Sequence, residues 1–141
     1  MTIAAILKDK GREVTSVTPD TPVSRVIALL AQHRIGAVPV MADGEVRGIF
    51  SERDVIGMLA QGATALDTTV GEVMTAPAMT VSPHESVIGA LALMTKRRIR
   101  HLPVLDDRQV VGLVSIGDLV KYRIDRIEAD AAAMRDYIQQ S

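Results

Sequence analysis

Gly48-Ile49-Phe50-Ser51-Glu52-Arg53-Asp54 and Gly112-Leu113-Val114-Ser115-Ile116-Gly117-Asp118 follow one plan: glycine, two apolar residues, serine, two free positions, aspartate. The two stretches lie 64 residues apart, and the same spacing relates Val17 to Val81, Pro19 to Pro83, Val23 to Val87, Leu29 to Leu93, Arg34-Ile35 to Arg98-Ile99, Pro39 to Pro103 and Asp43 to Asp107. No gap is needed to hold this register, so the chain reads as two copies of one unit. A solenoid needs about three or more repeats to bury a continuous core. Two copies predict a closed pseudo-symmetric pair instead, each hiding its apolar face against the other.

Working outward from the motif, each copy changes periodicity in a fixed order. Val14–Thr18 reads as a short strand stopped by Pro19, and Val23–Gln32 places Val23, Val26, Ile27 and Leu30 at helical spacing, with Thr21 before Pro22 as the expected N-cap. Ala37–Met41 is an apolar run of strand length, Asp43-Gly44 is a hairpin signal, and Val46–Phe50 is the returning strand. Ser51 then caps a helix expected to run to about Ala60. The second copy repeats this with Met79–Ser82, Ser86–Lys96, Leu102–Leu105, a turn at Asp106-Asp107-Arg108, Val110–Val114 and a helix from Ser115. The expected fold class is therefore α/β (α+β), two pseudo-symmetric β-α-β-β-α repeats over 1–63 and 70–128, with an extended C-terminal helix over 119–141. A short surface connection is expected over Gln61–Thr69.

Composition narrows the functions open to such a pair. The 141 residues are 48% apolar, enough for a real core, but Phe50, Tyr122 and Tyr137 are the only aromatics, so ring stacking of a ligand is not on offer. The formal net charge of −1 creates no field that gathers polyanions, and no nucleic-acid partner is expected. The absence of Cys removes thiolate nucleophiles and zinc-ribbon chemistry and suits a reducing compartment. Met1–Lys10 lacks the layout of a signal peptide, and no apolar run reaches the ~18 residues of a membrane span, so a cytoplasmic chain without membrane attachment is expected. His33 and His84 have no second ligand at metal spacing, and no metal site is expected.

The motif itself has chemistry. A strand delivers the chain to a helix start, where free backbone N–H groups and the positive end of the dipole favour an anionic ligand. One turn in, an aspartate can accept hydrogen bonds from paired hydroxyls such as those of a ribose. The plainer alternative is that each serine is an N-cap and each aspartate complements the dipole. Recurrence in both copies favours the ligand-binding reading. Arg53 fits a solvated helix face as well as a phosphate site.

From about Lys8 to Tyr122 the chain resembles a tandem pair of CBS domains, the cystathionine-β-synthase-type regulatory modules. The resemblance is carried by Arg34-Ile35-Gly36-Ala37-Val38-Pro39-Val40 with the Gly48–Asp54 motif, and by Arg98-Ile99-Arg100-His101-Leu102-Pro103-Val104 with the Gly112–Asp118 motif. It implies a module with two clefts that commonly bind AMP, ADP, ATP or larger adenosyl compounds such as NAD(H), with no catalytic cofactor. It implies ribose-binding roles for Asp54 and Asp118 and polar contacts near phosphate for Ser51 and Ser115. The first cleft is then expected to comprise Ser51, Arg53, Asp54, Met74, Thr75, Pro77, Met79, Ile99, Arg100 and His101. The second is expected to comprise Lys10, Thr15, Ile35, Gly36, Ala37, Ser115 and Asp118. Where one copy offers Arg100-His101 for phosphate, the other has Gly36-Ala37, so tighter binding is expected at Asp54.

From Ile124 the apolar positions Ile124, Ile127, Ala131, Met134 and Ile138 draw one stripe along a helix. Either it packs on its own module or it crosses to a second subunit, and the resemblance, which implies disc-like dimers, favours a homodimer. The chain has no nucleophile–base–orienter set and no Walker-type loop, so an enzyme is not expected. The expected function is energy- or redox-state sensing through dimer geometry or an unidentified regulated protein. The competing function is a structural dimerisation module with vestigial clefts.

Overall fold

The computed structural model describes residues 1–62 and 66–140, so the middle of the expected Gln61–Thr69 connection and the last residue of the chain lie outside the described residues. The elements run α1 Ile3–Lys10, α2 Val23–His33, β1 Ala37–Ala42, β2 Glu45–Ser51, α3 Glu52–Gln61, α4 Val70–Val73, α5 Val87–Arg97, β3 His101–Asp106, β4 Gln109–Ser115 and α6 Ile116–Gln140. The architecture is mixed α/β, with two repeats that each hold an antiparallel hairpin, β1–β2 or β3–β4. The first turn uses Asp43 at φ 54° and Gly44 at φ 74°, the left-handed pair that a two-residue hairpin loop demands. The second turn forces Asp107 and Arg108 into the same region, at φ 49° and 68°. In both hairpins the register slips at the same place, between Val40 and Met41 and between Val104 and Leu105, leaving Arg47 and Val111 as extra residues.

The expected lead-in strands shrink to single parallel bridges, Val17 with Val40 and Val81 with Val104. Proline chemistry explains the truncation. Val17 N–H donates to the Pro39 carbonyl at 3.1 Å, and Met41 N–H donates to the Val17 carbonyl at 2.7 Å. The next rung upstream would require an N–H from Pro39, and the next rung downstream one from Pro19; neither has one. Pro103 and Pro83 impose the same limits on the second copy. The Thr21 N-cap is also corrected: Pro22 occupies the cap position of α2, and the Thr21 hydroxyl accepts from Thr18 N–H at 3.3 Å. In the second copy Ser86 does cap α5, accepting from Gly89 N–H at 2.9 Å.

The two halves exchange their first helices. Ile3, Ile6 and Leu7 of α1 are buried with Val81, Val87, Ala90, Met94, Leu102, Val104, Val114 and Leu119 of the second repeat. Val70 of α4 is buried with Val17, Val23, Val26, Leu30, Val38, Val40, Phe50 and Met58 of the first. Burying side chains of this size stabilises by about 1.5–3 kcal/mol each, so the exchange clamps the copies together. It also revises the ungapped register. Val70 N–H donates to Thr21 O and Gly71 N–H to Pro19 O, each at 2.8 Å, while Ile3 N–H donates to Glu85 O and Ala4 N–H to Pro83 O, each at 2.9 Å. The acceptors are 64 positions apart, from Thr21 to Glu85, but the donors are 67 apart, from Ile3 to Val70. The first lead-in therefore holds three more residues before Val17 than the second holds before Val81.

Candidate functional site

Ser51 ends β2 and Ser115 ends β4, and each opens a helix through a reciprocal box with the aspartate three residues on. Asp54 Oδ2 accepts from Ser51 N–H at 2.9 Å and from the Ser51 hydroxyl at 3.2 Å. Asp118 Oδ2 accepts from Ser115 N–H at 2.8 Å, while the Ser115 hydroxyl accepts from Asp118 N–H at 3.1 Å. The capping reading of the motif therefore holds in both copies. It does not exhaust the carboxylates: Asp54 turns Oδ1 outward, where it accepts from the Thr75 hydroxyl at 3.1 Å.

Around Asp54 lies a cavity of about 270 Å³, at the small end of ligand pockets. Its lining combines apolar Ile49, Ile56, Pro77, Met79 and Ile99 with Arg53, Arg98, Arg100, His101 and Glu52. Arg53 is exposed but its guanidinium is engaged: Nη1 donates to the Arg98 carbonyl at 2.5 Å. Three guanidiniums against the carboxylates of Glu52 and Asp54 leave the cavity cationic. Half-buried His101 adds no proton of its own: burial, the largest influence, holds its pKa below the ordinary imidazole value, Lys10 and Arg100 push the same way, and Glu52 and Asp118 only partly oppose them. The arginines, rather than His101, supply the positive charge.

The Asp118 side differs. Lys10, the last residue of α1, donates from Nζ to Asp118 Oδ2 at 2.5 Å and to the Leu113 carbonyl at 2.7 Å. Burial works to raise the Asp118 pKa, yet the Lys10 ammonium and the Ser115 donors outweigh it and hold the carboxyl below its ordinary value.

Of the residues expected in the first cleft, Ser51, Arg53, Asp54, Thr75, Pro77, Met79, Ile99, Arg100 and His101 meet around this one cavity. Met74 does not; it covers Gly48, where an added Cβ would stand 2.7 Å from its sulfur. Of the second set, Lys10, Ser115 and Asp118 come together, but Ala37 is fully buried in its strand and cannot touch a ligand. Gly36 faces the other way, under the His101 ring and Glu52, which lie 2.9 and 3.2 Å from where its Cβ would be. Ile35 packs toward the first core, and Thr15 is half-buried. Ile49, Glu52, Ile56 and Arg98 escaped the sequence reading. Ile49 shares a strand face with Ser51 and Ile56 lies one turn after Glu52, so periodicity carried that signal, whereas Arg98 reads only as a helix end. Among the described residues no group of three or more His, Asp or Glu converges as a metal site would, and no helix is long and apolar enough to cross a membrane.

The chain matches the CBS domain family over residues 8–61 and again over 70–125. It is 35% identical over 148 aligned positions to the CBS domain-containing protein CBSX3, mitochondrial, of Arabidopsis thaliana, covering 98% of this chain and 72% of that one. The crystal structure of the CBS-domain containing protein ATU1752 from Agrobacterium tumefaciens superposes with a TM-score of 0.84 at 38% identity, covering 87% of this chain and 99% of that one. The CBS domain pair of protein MJ0100, solved in complex with 5′-methylthioadenosine and S-adenosyl-L-methionine, superposes with a TM-score of 0.79 at 26% identity, covering 89% and 98% of the two chains.

Proposed function

The chain belongs to the CBS-domain family, and from that premise we propose that it is a non-catalytic regulatory module that binds an adenine nucleotide, AMP, ADP, ATP or NAD(H), in the Asp54 cleft. The observation that carries the reading is that Asp54, whose Oδ1 the cap leaves free, and three arginines line one cavity together with apolar Ile49, Ile56, Pro77, Met79 and Ile99. A ribose needs such an acceptor for its hydroxyls, and a phosphate needs the guanidinium forks. The MJ0100 pair supports an adenosyl ligand class in general. The cationic lining here favours phosphorylated adenosine over a sulfonium compound. Occupancy would be reported through the geometry of a homodimer or through a regulated protein, in a cytoplasmic setting. A second reading, a structural dimerisation module, draws on α6, where Ile124, Ile127 and Met134 are 49%, 51% and 60% exposed. The stripe is thus not packed on its own module at these positions.

Thermal melting with AMP, ATP, NAD and S-adenosylmethionine separates the two. A concentration-dependent rise with at least one phosphorylated ligand is expected, reduced about tenfold or more in affinity by Asp54→Ala and by Arg100→Ala. No rise with any ligand at millimolar concentration would leave the structural reading in possession.

A further inference from the structure

We infer that Lys10 is a built-in occupant of the Asp118 cleft that restricts this chain to one nucleotide site. The inference rests on the reading of Asp54 and Asp118 as ribose-accepting carboxylates, and it starts from what each carboxylate already holds. Asp54 is met by the Thr75 hydroxyl, a neutral donor that a ribose hydroxyl can replace one for one. Asp118 is met on its capping oxygen, Oδ2, by an ammonium that also has the Leu113 carbonyl as a partner, so its negative charge is already answered from within the chain. A carboxylate paired with an ammonium attracts a ribose hydroxyl less than one met only by a neutral donor, and moving Lys10 aside would strip Asp118 Oδ2 and the Leu113 carbonyl of the same donor at once.

The lead-in difference explains why only one cleft is filled. α1 has eight residues where α4 has four, and its first two turns are pinned by buried Ile3, Ile6 and Leu7. Lys10 ends this helix, where a cation complements the dipole, and Gly11 at φ 98° then turns the chain away. Leu7 fills the space in front of Gly112, its Cδ2 lying 2.5 Å from where a Cβ would be. The helix cannot slide back without emptying that space. The two positions equivalent to Arg100 and His101 offer no cation here, because Gly36 and buried Ala37 occupy them.

The test is calorimetric titration of the full chain with AMP, and in parallel with adenosine, comparing wild type with Lys10→Met, which keeps the apolar stem and drops the charge. Lys10→Gln serves if the Met variant does not melt cooperatively. The inference expects one more site per chain in the variant than in wild type, tighter by at least tenfold than any second binding in wild type, and abolished by adding Asp118→Ala. Equal site numbers in the two proteins, or two sites per chain in wild type, would overturn it. If wild type binds nothing and the variant gains one site, the inference stands while the Asp54 reading falls. If neither binds, the inference falls.

Discussion

Gly48→Ala tests whether the motif glycine exists for turn flexibility or for close packing. Gly48 is buried opposite Val40 in the β1–β2 hairpin, and a Cβ there would lie 2.7 Å from Met74 Sδ, 2.7 Å from the Thr75 carbonyl oxygen and 3.0 Å from Met74 Cγ. Carbon–oxygen contacts settle at about 3.3–3.6 Å, so the crossing segment would have to withdraw by roughly 0.6–0.9 Å. Thr75 is not free to do so: its N–H and C=O exchange two hydrogen bonds with Ile49, both 2.9 Å. Overpacking of this kind costs about 1–3 kcal/mol, whereas the entropy saved by replacing glycine returns only about 0.4–1 kcal/mol. Destabilisation should win, lowering the melting temperature by about 2–8 °C by circular dichroism. Gly57→Ala is the control, because it lies in α3 with nothing within 4 Å of its Cβ, and should instead gain about 0.5–1 kcal/mol. A Gly48→Ala protein that melts with wild type, or rises as Gly57→Ala does, would refute the close-packing argument.

Two further outcomes follow from the backbone and from the titrating groups. Arg108→Gly relieves a left-handed residue at the second hairpin turn and should raise the urea midpoint at unchanged slope, by about 1 kcal/mol of stability. Acid should destabilise the fold in two steps. His101 has a folded pKa below its unfolded one, so its penalty is absent above about pH 6.5 and grows as the pH falls from there toward the folded value. Asp118, also depressed, contributes stability that is present above about pH 4 and lost as the pH falls through its folded value. His101→Gln should remove the upper step and Asp118→Asn the lower one, in melting curves collected from pH 8 to 3; a profile unchanged by either variant would contradict this assignment.

The parts of the molecule written in local chemistry were legible in the sequence. Asp43-Gly44 announced its turn, Ser51 and Ser115 announced helix starts, and the 64-residue register announced two units. What local chemistry did not carry was set by contacts across the chain. Lys10 and Asp118 are 108 positions apart, and only the resemblance to CBS-domain pairs puts them in one cleft; nothing in either neighbourhood says that Lys10 pairs with the aspartate itself. The three extra residues of the first lead-in were invisible because the flanking matches, Val17 with Val81 onward, are so regular. The lead-in strands were overread for a subtler reason: a short run ending at a proline reads as a strand, but the ladder partner also contained a proline, and partnership is a tertiary fact.

The same geometry removes an opposition that the sequence posed. A capping aspartate and a ligand-binding aspartate were alternatives only while the carboxylate counted as one acceptor. At Asp54 the cap takes Oδ2 and thereby fixes the direction of Oδ1, so capping becomes the means by which the second oxygen is aimed at the cavity. At Asp118 the same cap puts Oδ2 within reach of the first lead-in, and Lys10 takes it. Duplication supplied two equal carboxylates, and the unequal lead-ins made them different: one meets the Thr75 hydroxyl in a cavity lined by three arginines, the other is paired on its capping oxygen with a lysine from its own chain. Any asymmetry in ligand response should therefore follow α1 and its Lys10 more than the Ser-x-x-Asp motif that the two copies share.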